Sequence, residues 1–257
     1  MGAALTDVLA PLLDLADVAA AVSDARDAVD GVLGRRALRA DTALAERVAA
    51  EAELRAATAS AALDGAAHEL ADVRAGTVTD PIVQGALRVN GSLGGLVDTW
   101  RRTPWQALAR MHTLAARSVV PDSELGRPDT SGFPDGEVSA RLDGLSQLVL
   151  DPPTSPAVLL AAVVHGELLA LRPFAGPYGV VARAAARLTL MARGVDPAGL
   201  IVVEEGHLAR EPEYRGAANA FATGTADGLR SWLRHCCTAL EVGAERTAAL
   251  VDDGVSA

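Results

Sequence analysis

The sequence predicts an all-α fold, on three observations. Half of the residues are apolar, yet only 3% are aromatic. Alanine recurs throughout, and small, strong helix formers in that proportion favour helix packed on helix. No tract alternates apolar and polar residues for long enough to read as a half-buried strand. At 257 residues the chain has room for one large domain, or one domain with a helical extension.

Residues 5–33 read as the first helix, with Leu12, Leu15, Val18, Ala19 and Val22 at helical spacing and Asp14, Asp17 and Asp24 elsewhere around it. A second helix spans 41–73, beyond a break around Gly34-Arg35-Arg36. Thr79-Asp80 before Pro81 has the form of an N-cap followed by proline in the first turn. A short glycine-rich connection covers 90–95, and Thr103-Pro104 opens a helix that runs to about Arg117. Residues 121–136 hold Pro121, Gly126, Pro128, Gly132, Pro134 and Gly136, and predict a long irregular loop of the functional or mobile kind. Helices are then expected near 137–150, 155–170, 178–193, 212–224 and 226–251, with Glu204-Glu205 in a solvated loop between them. A boundary near residue 75 would divide N-terminal helices, 1–75, from a helical domain, 76–257. No repeat or linker marks it, and the N-terminal helices read as part of one fold.

The formal charge of -10 argues against nucleic acid or an anionic membrane as partner, since both reward basic surface. The chain has no lysine, so all 23 basic residues are arginine. That composition fits the codon bias of a high-GC, bacterial genome. It also removes a Walker lysine, a Schiff-base lysine and a Ser-x-x-Lys nucleophile together. Cys236 and Cys237 are adjacent and point in different directions on a helix, which disfavours a shared metal or a framework disulfide. They read as reduced core thiols, and with no cationic leader and Asp7 and Asp14 before Arg26 the expected location is the cytoplasm. The longest apolar run, Val158 to Leu171, is interrupted by His165 and Glu167 and is too short to span a bilayer. Met1-Gly2 with Thr6 fits a myristoylation pattern and Asn90-Gly91-Ser92 a glycosylation sequon. Both are short patterns that arise often by chance, and neither suits this compartment.

The chemistry-bearing segment is His165 to Arg183: His-Gly-Glu-Leu-Leu-Ala-Leu-Arg-Pro-Phe-Ala-Gly-Pro-Tyr-Gly-Val-Val-Ala-Arg. It resembles the Fic family signature His-Pro-Phe-x-(Asp/Glu)-Gly-Asn-Gly-Arg-x-x-Arg, a loop joining two helices. Pro173, Phe174, Gly179 and Arg183 match, and His165 lies seven residues before the motif, where many Fic proteins also carry a histidine. Ser60 to Gly65, Ser-Ala-Ala-Leu-Asp-Gly, is similar to the family's inhibitory motif (Ser/Thr)-x-x-x-Glu-(Gly/Asn), with Asp64 in the place of glutamate. Leu108 to His112 followed by Gly126-Arg127, and Tyr214 to Leu233 with Trp232, resemble further parts of the fold, so residues from about 55 to 245 are covered.

The resemblance implies transfer of AMP or another phosphate-containing group from a nucleotide to a protein hydroxyl. Such a site needs a base, a metal and a cradle of N–H donors around the diphosphate. This chain departs from each. Arg172 replaces the base histidine, and a guanidinium cannot accept a proton. Gly176 replaces the carboxylate that would hold magnesium. Gly-Asn-Gly becomes Pro177-Tyr178-Gly179, which deletes one donor and restricts Gly176, while Val180 replaces the first arginine. Loss of a general base alone costs on the order of 10²–10⁴ in rate.

The expectation is therefore a catalytically impaired Fic-like protein that binds or regulates, with no cofactor and an unidentified protein partner or small phosphorylated ligand. A second reading is a divergent nucleotidyl or phosphoryl transferase, using ATP and magnesium with Arg172 and Arg183 as phosphate clamps. A third is a scaffold that forms homodimers through its alanine-rich N-terminal helices. His165 is expected to pack rather than catalyse, and Tyr178 to plug the pocket. His68, His112, His207 and His235 show no metal-ligand spacing. His165-Gly166-Glu167 matches the His-x-Glu of zinc deaminases, but no Pro-Cys-x-x-Cys follows. The inhibitory motif would pair Asp64 with Arg183.

Overall fold

A computed structural model describes residues 7–151 and 154–254 of the chain. The Met1-Gly2 pattern lies outside the described residues. Every regular element among them is helical: thirteen α-helices and two short 3₁₀ turns.

At the centre lie two antiparallel helices, α9 (Ala157–Leu171) and α10 (Tyr178–Ala192), joined by the six residues 172–177. The first is apolar on nearly every side, and only such a helix suits a position covered all round. Around this pair pack α3 (Thr42–Leu63), α6 (Leu93–Arg102), α7 (Pro104–Ala116), α12 (Glu211–Phe221) and α13 (Ala226–Asp252). The N-terminal α1 (Val18–Leu33) lies along α13, and α3 packs on α5 (Pro81–Asn90) and α11 (Val203–Ala209). One continuous apolar cluster includes residues from both sides of position 75.

Two expected helices are shorter than their periodicity suggested. The first is interrupted: a 3₁₀ turn at Ala10–Asp14 precedes α1, and Asp17 adopts the left-handed conformation between them. The second stops at Leu63 because Gly65, at φ 91°, closes it. Ala66 N–H donates to Ala61 C=O and Gly65 N–H to Ala62 C=O, which is a Schellman ending. Asp64 is thereby held at the helix terminus, aimed at the start of α10. A separate short helix, α4 (Leu70–Arg74), then uses part of the expected span.

The Asp80 cap forms as expected, accepting from Ile82 and Val83 N–H. Glu204 does not lie in a solvated loop. It sits on α11, 2% exposed, 3.5 Å from the buried Arg187, whose guanidinium also reaches Gly199 C=O and Asn90. Asn90 is buried by this contact and by its bond to Ala86 C=O, so the glycosylation pattern offers no acceptor to solvent. Both cysteines are free and buried. Among the described residues, no helix is long and apolar enough to cross a membrane.

Candidate functional site

The connection between α9 and α10 is stapled from outside. His112, on α7, stacks on Phe174 with ring centroids 4.7 Å apart. Gly126 N–H donates to its Nδ1 at 3.0 Å, so the imidazole proton lies on Nε2, which donates to Ala175 C=O at 2.9 Å. Desolvation lowers the pKa of His112 and keeps it neutral, outweighing its bond to Ala175. Asp129 N–H adds a bond to Pro173 C=O at 2.8 Å. The irregular 121–136 segment is thus a brace for the motif loop, built around His112 and Gly126.

Arg172 follows α9 in the left-handed conformation, φ 47° and ψ 54°, with its side chain exposed. Its guanidinium carbon lies 5.1 Å from the centroid of the half-buried Tyr178 ring. At Gly176, φ 76°, a Cβ would meet Val120 Cγ1 at 3.0 Å and Val119 Cγ1 at 3.3 Å. A metal-binding carboxylate at this position would face both a strained backbone and occupied space. Among the described residues no group of three or more His, Cys, Asp or Glu side chains could hold a metal ion. The residues present do not fit the magnesium that the family resemblance implies.

Asp64 and Arg183 meet, 119 residues apart in the chain, at 2.6 Å. Arg183 is 3% exposed and uses every face of its guanidinium. Nε donates to Ser60 Oγ, Nη2 to Ser60 C=O as well as to Asp64 Oδ1, and Nη1 to Tyr214 Oη. The pair is therefore direct and made through one carboxylate oxygen, rather than water-bridged or bidentate. Asp64 Oδ2 is free for a second task and accepts from Val180 N–H at 3.2 Å. It caps α10 from another helix, since Pro177 supplies no side-chain cap, and places negative charge at that helix's positive end.

Burial disfavours the Arg183 charge, but Tyr214 and Asp64 outweigh it and raise its pKa above the ordinary arginine value. Burial pushes Tyr214 up to about 12, so it is a neutral phenol at physiological pH. With Arg183 donating to its oxygen, the phenol proton is directed to His165 Nε2 at 3.0 Å. His165 is 1% exposed and packs as expected.

Gly179 makes this arrangement feasible. A Cβ there would lie 2.2 Å from Asp64 Oδ1 and 3.0 Å from its Cγ. Alanine would gain up to about 1 kcal/mol in helix propensity. Displacing the carboxylate would strip Arg183 of its counter-charge, so Gly179→Ala is expected to lose about 2 kcal/mol net. A denaturant melt checks this, and a variant as stable as wild type would show that Asp64 is not held there.

A cleft of about 1040 Å³ opens over these residues. Arg172, Gly176, Pro177, Tyr178, Gly179 and Arg183 line it, together with Asp64 and Gly65. The structure thus brings together both arginines and the inhibitory-like segment around one space. Ser60, Pro173 and Phe174 support it from behind. Sequence reading missed Tyr214 as a partner of Arg183 and His165. It also missed that His165, His207 and His235 converge: His207 Nδ1 is 3.1 Å from His235 Nε2, and the His165 and His207 centroids are 5.0 Å apart.

The sequence matches no protein-family model and no curated protein. Solved structures do share the architecture. A Fic family protein from Desulfovibrio desulfuricans G20 superposes with a TM-score of 0.74 at 20% identity, over 91% of this chain and 75% of that one. Fic-1 from C. elegans gives 0.71 at 19% identity, over 93% and 73% respectively. A point variant of Fic-1 gives 0.72 at 19% identity, over 94% and 74%. The chain has the all-α Fic (Fido) fold.

Proposed function

We propose that this Fic-fold chain is catalytically impaired and acts in the cytoplasm as a binding or regulatory module for a protein partner or a small phosphorylated ligand. The observation that carries the reading is the Asp64 carboxylate. It occupies the Val180 N–H and the Arg183 guanidinium, the two donors at the start of α10 to which a transferred phosphate would turn. The loop adds to it: Arg172 stands where a base would act, and Val119 and Val120 fill the space beside Gly176. A catalyst must hold base, metal and anion donors in place at once; here base and metal ligand are replaced, and the anion donors are taken by Asp64.

The purified protein is accordingly expected to transfer no label from [α-³²P]ATP, with magnesium, to itself or to lysate proteins. Arg172→His should not restore transfer, because Gly176 and Pro177 still withhold a ligand and a donor. Labelling that disappears in Arg172→Ala or Arg183→Ala would replace this reading with that of a divergent transferase, whose two arginines line one cleft.

A further inference from the structure

The cleft has an uneven distribution of charge. Three arginines line it. Arg183 is consumed by Asp64, Ser60 and Tyr214. Arg215 pairs with Glu211 at 2.6 Å and donates to Leu63 C=O at 3.0 Å. Of these three arginines, only Arg172 has a guanidinium with no hydrogen bond or ion pair among the described residues. Its guanidinium stands at the mouth, backed by the Tyr178 ring.

Arg172 is also held in a conformation that glycine adopts freely and other L-residues adopt at a cost. A strained residue carrying an unpaired charge at the rim of a cavity is a pointer to a ligand. Ile82, Val119, Leu169, Ala218 and Ala222 add apolar side chains to the lining, and Asp64 adds a carboxylate. One anionic group therefore finds a partner at the mouth, an apolar body finds a wall, and further negative charge meets Asp64.

We propose that this cleft binds a small amphipathic monocarboxylate, with its carboxylate on the Arg172 fork and its apolar body along Ile82, Val119, Leu169 and Ala218. The proposal rests on the reading of the cleft as a binding site rather than a catalytic one. A planar carboxylate matches two parallel guanidinium N–H donors. A polyphosphate suits the site poorly, because it needs several cations and would have to evict Asp64 from Val180 and Arg183.

Calorimetric titration tests this with probes of one chain length: octanoate, octanol, octylammonium and the dianion suberate. Octanoate should bind saturably, and the other three about tenfold more weakly or not at all, the order expected of one charge-assisted contact. Arg172→Gly is the informative variant. It should raise the melting temperature by relieving the backbone, and should weaken octanoate about tenfold or more. Loss of binding in a stabilised protein cannot be unfolding. Equal binding of octanoate by wild type and Arg172→Gly, or none by wild type, overturns the monocarboxylate assignment and leaves the impaired-enzyme reading intact. Label transfer from magnesium-ATP overturns the impaired-enzyme reading, and with it the binding-site reading on which the proposal rests.

Discussion

Lowering the pH from 7.5 to 5.0 is expected to destabilise this fold, by about 2 kcal/mol from His235 alone and by more from the two histidines packed beside it. The source is the buried imidazole cluster of His165, His207 and His235, on α9, α11 and α13. His165 and His207 are 1% and 3% exposed. Desolvation holds both well below their ordinary pKa, and Arg183 and the neighbouring histidines act in the same direction. Desolvation brings His235 to about 4, with Glu213 opposing and Arg210 reinforcing. The His207–His235 pair shares one hydrogen between Nδ1 and Nε2, so a second proton would set two N–H groups face to face. His235 Nδ1 has no partner of its own to relieve this.

Because the folded pKa values are lowered, the unfolded chain takes up protons first. Stability is complete above the unfolded value of about 6.5 and is lost as pH falls below it towards the folded values. At pH 5 His235, held near 4, costs about 2 kcal/mol, and His165 and His207, lowered by burial in the same direction, add to the loss. His112, also lowered, adds with the same sign, while Glu241, raised by burial, opposes. Urea melts across this range check the slope. Replacing both His207 and His235 with leucine removes donor and acceptor together and should flatten most of it. A wild-type midpoint that does not move between pH 7.5 and 5.0 would show that the cluster is not neutral and buried as described.

The helices of this chain were legible because their signals are local. Thr103-Pro104 opens α7, the punctuation of 121–136 marks the loop, and the apolar runs after Pro156 and Pro177 give α9 and α10 within two residues. The failures are equally physical. α11 has only seven residues and follows Ile201-Val202, so it shows neither length nor a clear stripe, and its Glu204-Glu205 pair looks like solvated surface. Only the tertiary approach of Arg187 reveals that Glu204 is buried. The motif loop could be placed from its resemblance to the Fic signature, and Asp64 and Arg183 with it. Tyr214 could not, since a tyrosine on an ordinary amphipathic helix carries no mark of the arginine it will meet. The histidines lie 42 and 28 residues apart, and nothing in such spacings predicts that three helices converge on them.

Asp64→Ala is expected to destabilise the protein by about 3 kcal/mol without switching on nucleotide transfer. Distance alone does not give that figure. Arg210 and Glu213 also stand 2.6 Å apart, but their side chains are 42% and 59% exposed, and breaking an exposed pair of that kind costs under about 0.5 kcal/mol. The Arg183 side chain is 2% exposed and that of Asp64 is 15%, so removing the carboxylate leaves a guanidinium without its counter-charge and with only the cleft side open to water. Ser60 and Tyr214 keep their bonds to Arg183, which holds the loss at the lower end for a broken buried pair. Part of it comes from a different source: Val180 N–H loses its acceptor and α10 its cap, a contribution of about 1 kcal/mol. Asp64→Asn can keep the cap through its amide oxygen and isolates the charge, so it should cost about 2 kcal/mol. Arg183→Met removes the cation and keeps much of the volume, and in that background Asp64→Ala should cost little more than the cap. The double-mutant cycle is therefore expected to show about 2 kcal/mol of coupling in urea melts at pH 7.5. Additive losses would mean that Arg183 is sustained by Ser60 and Tyr214 alone. The Asp64 carboxylate would then be a helix cap and no lock on the arginine.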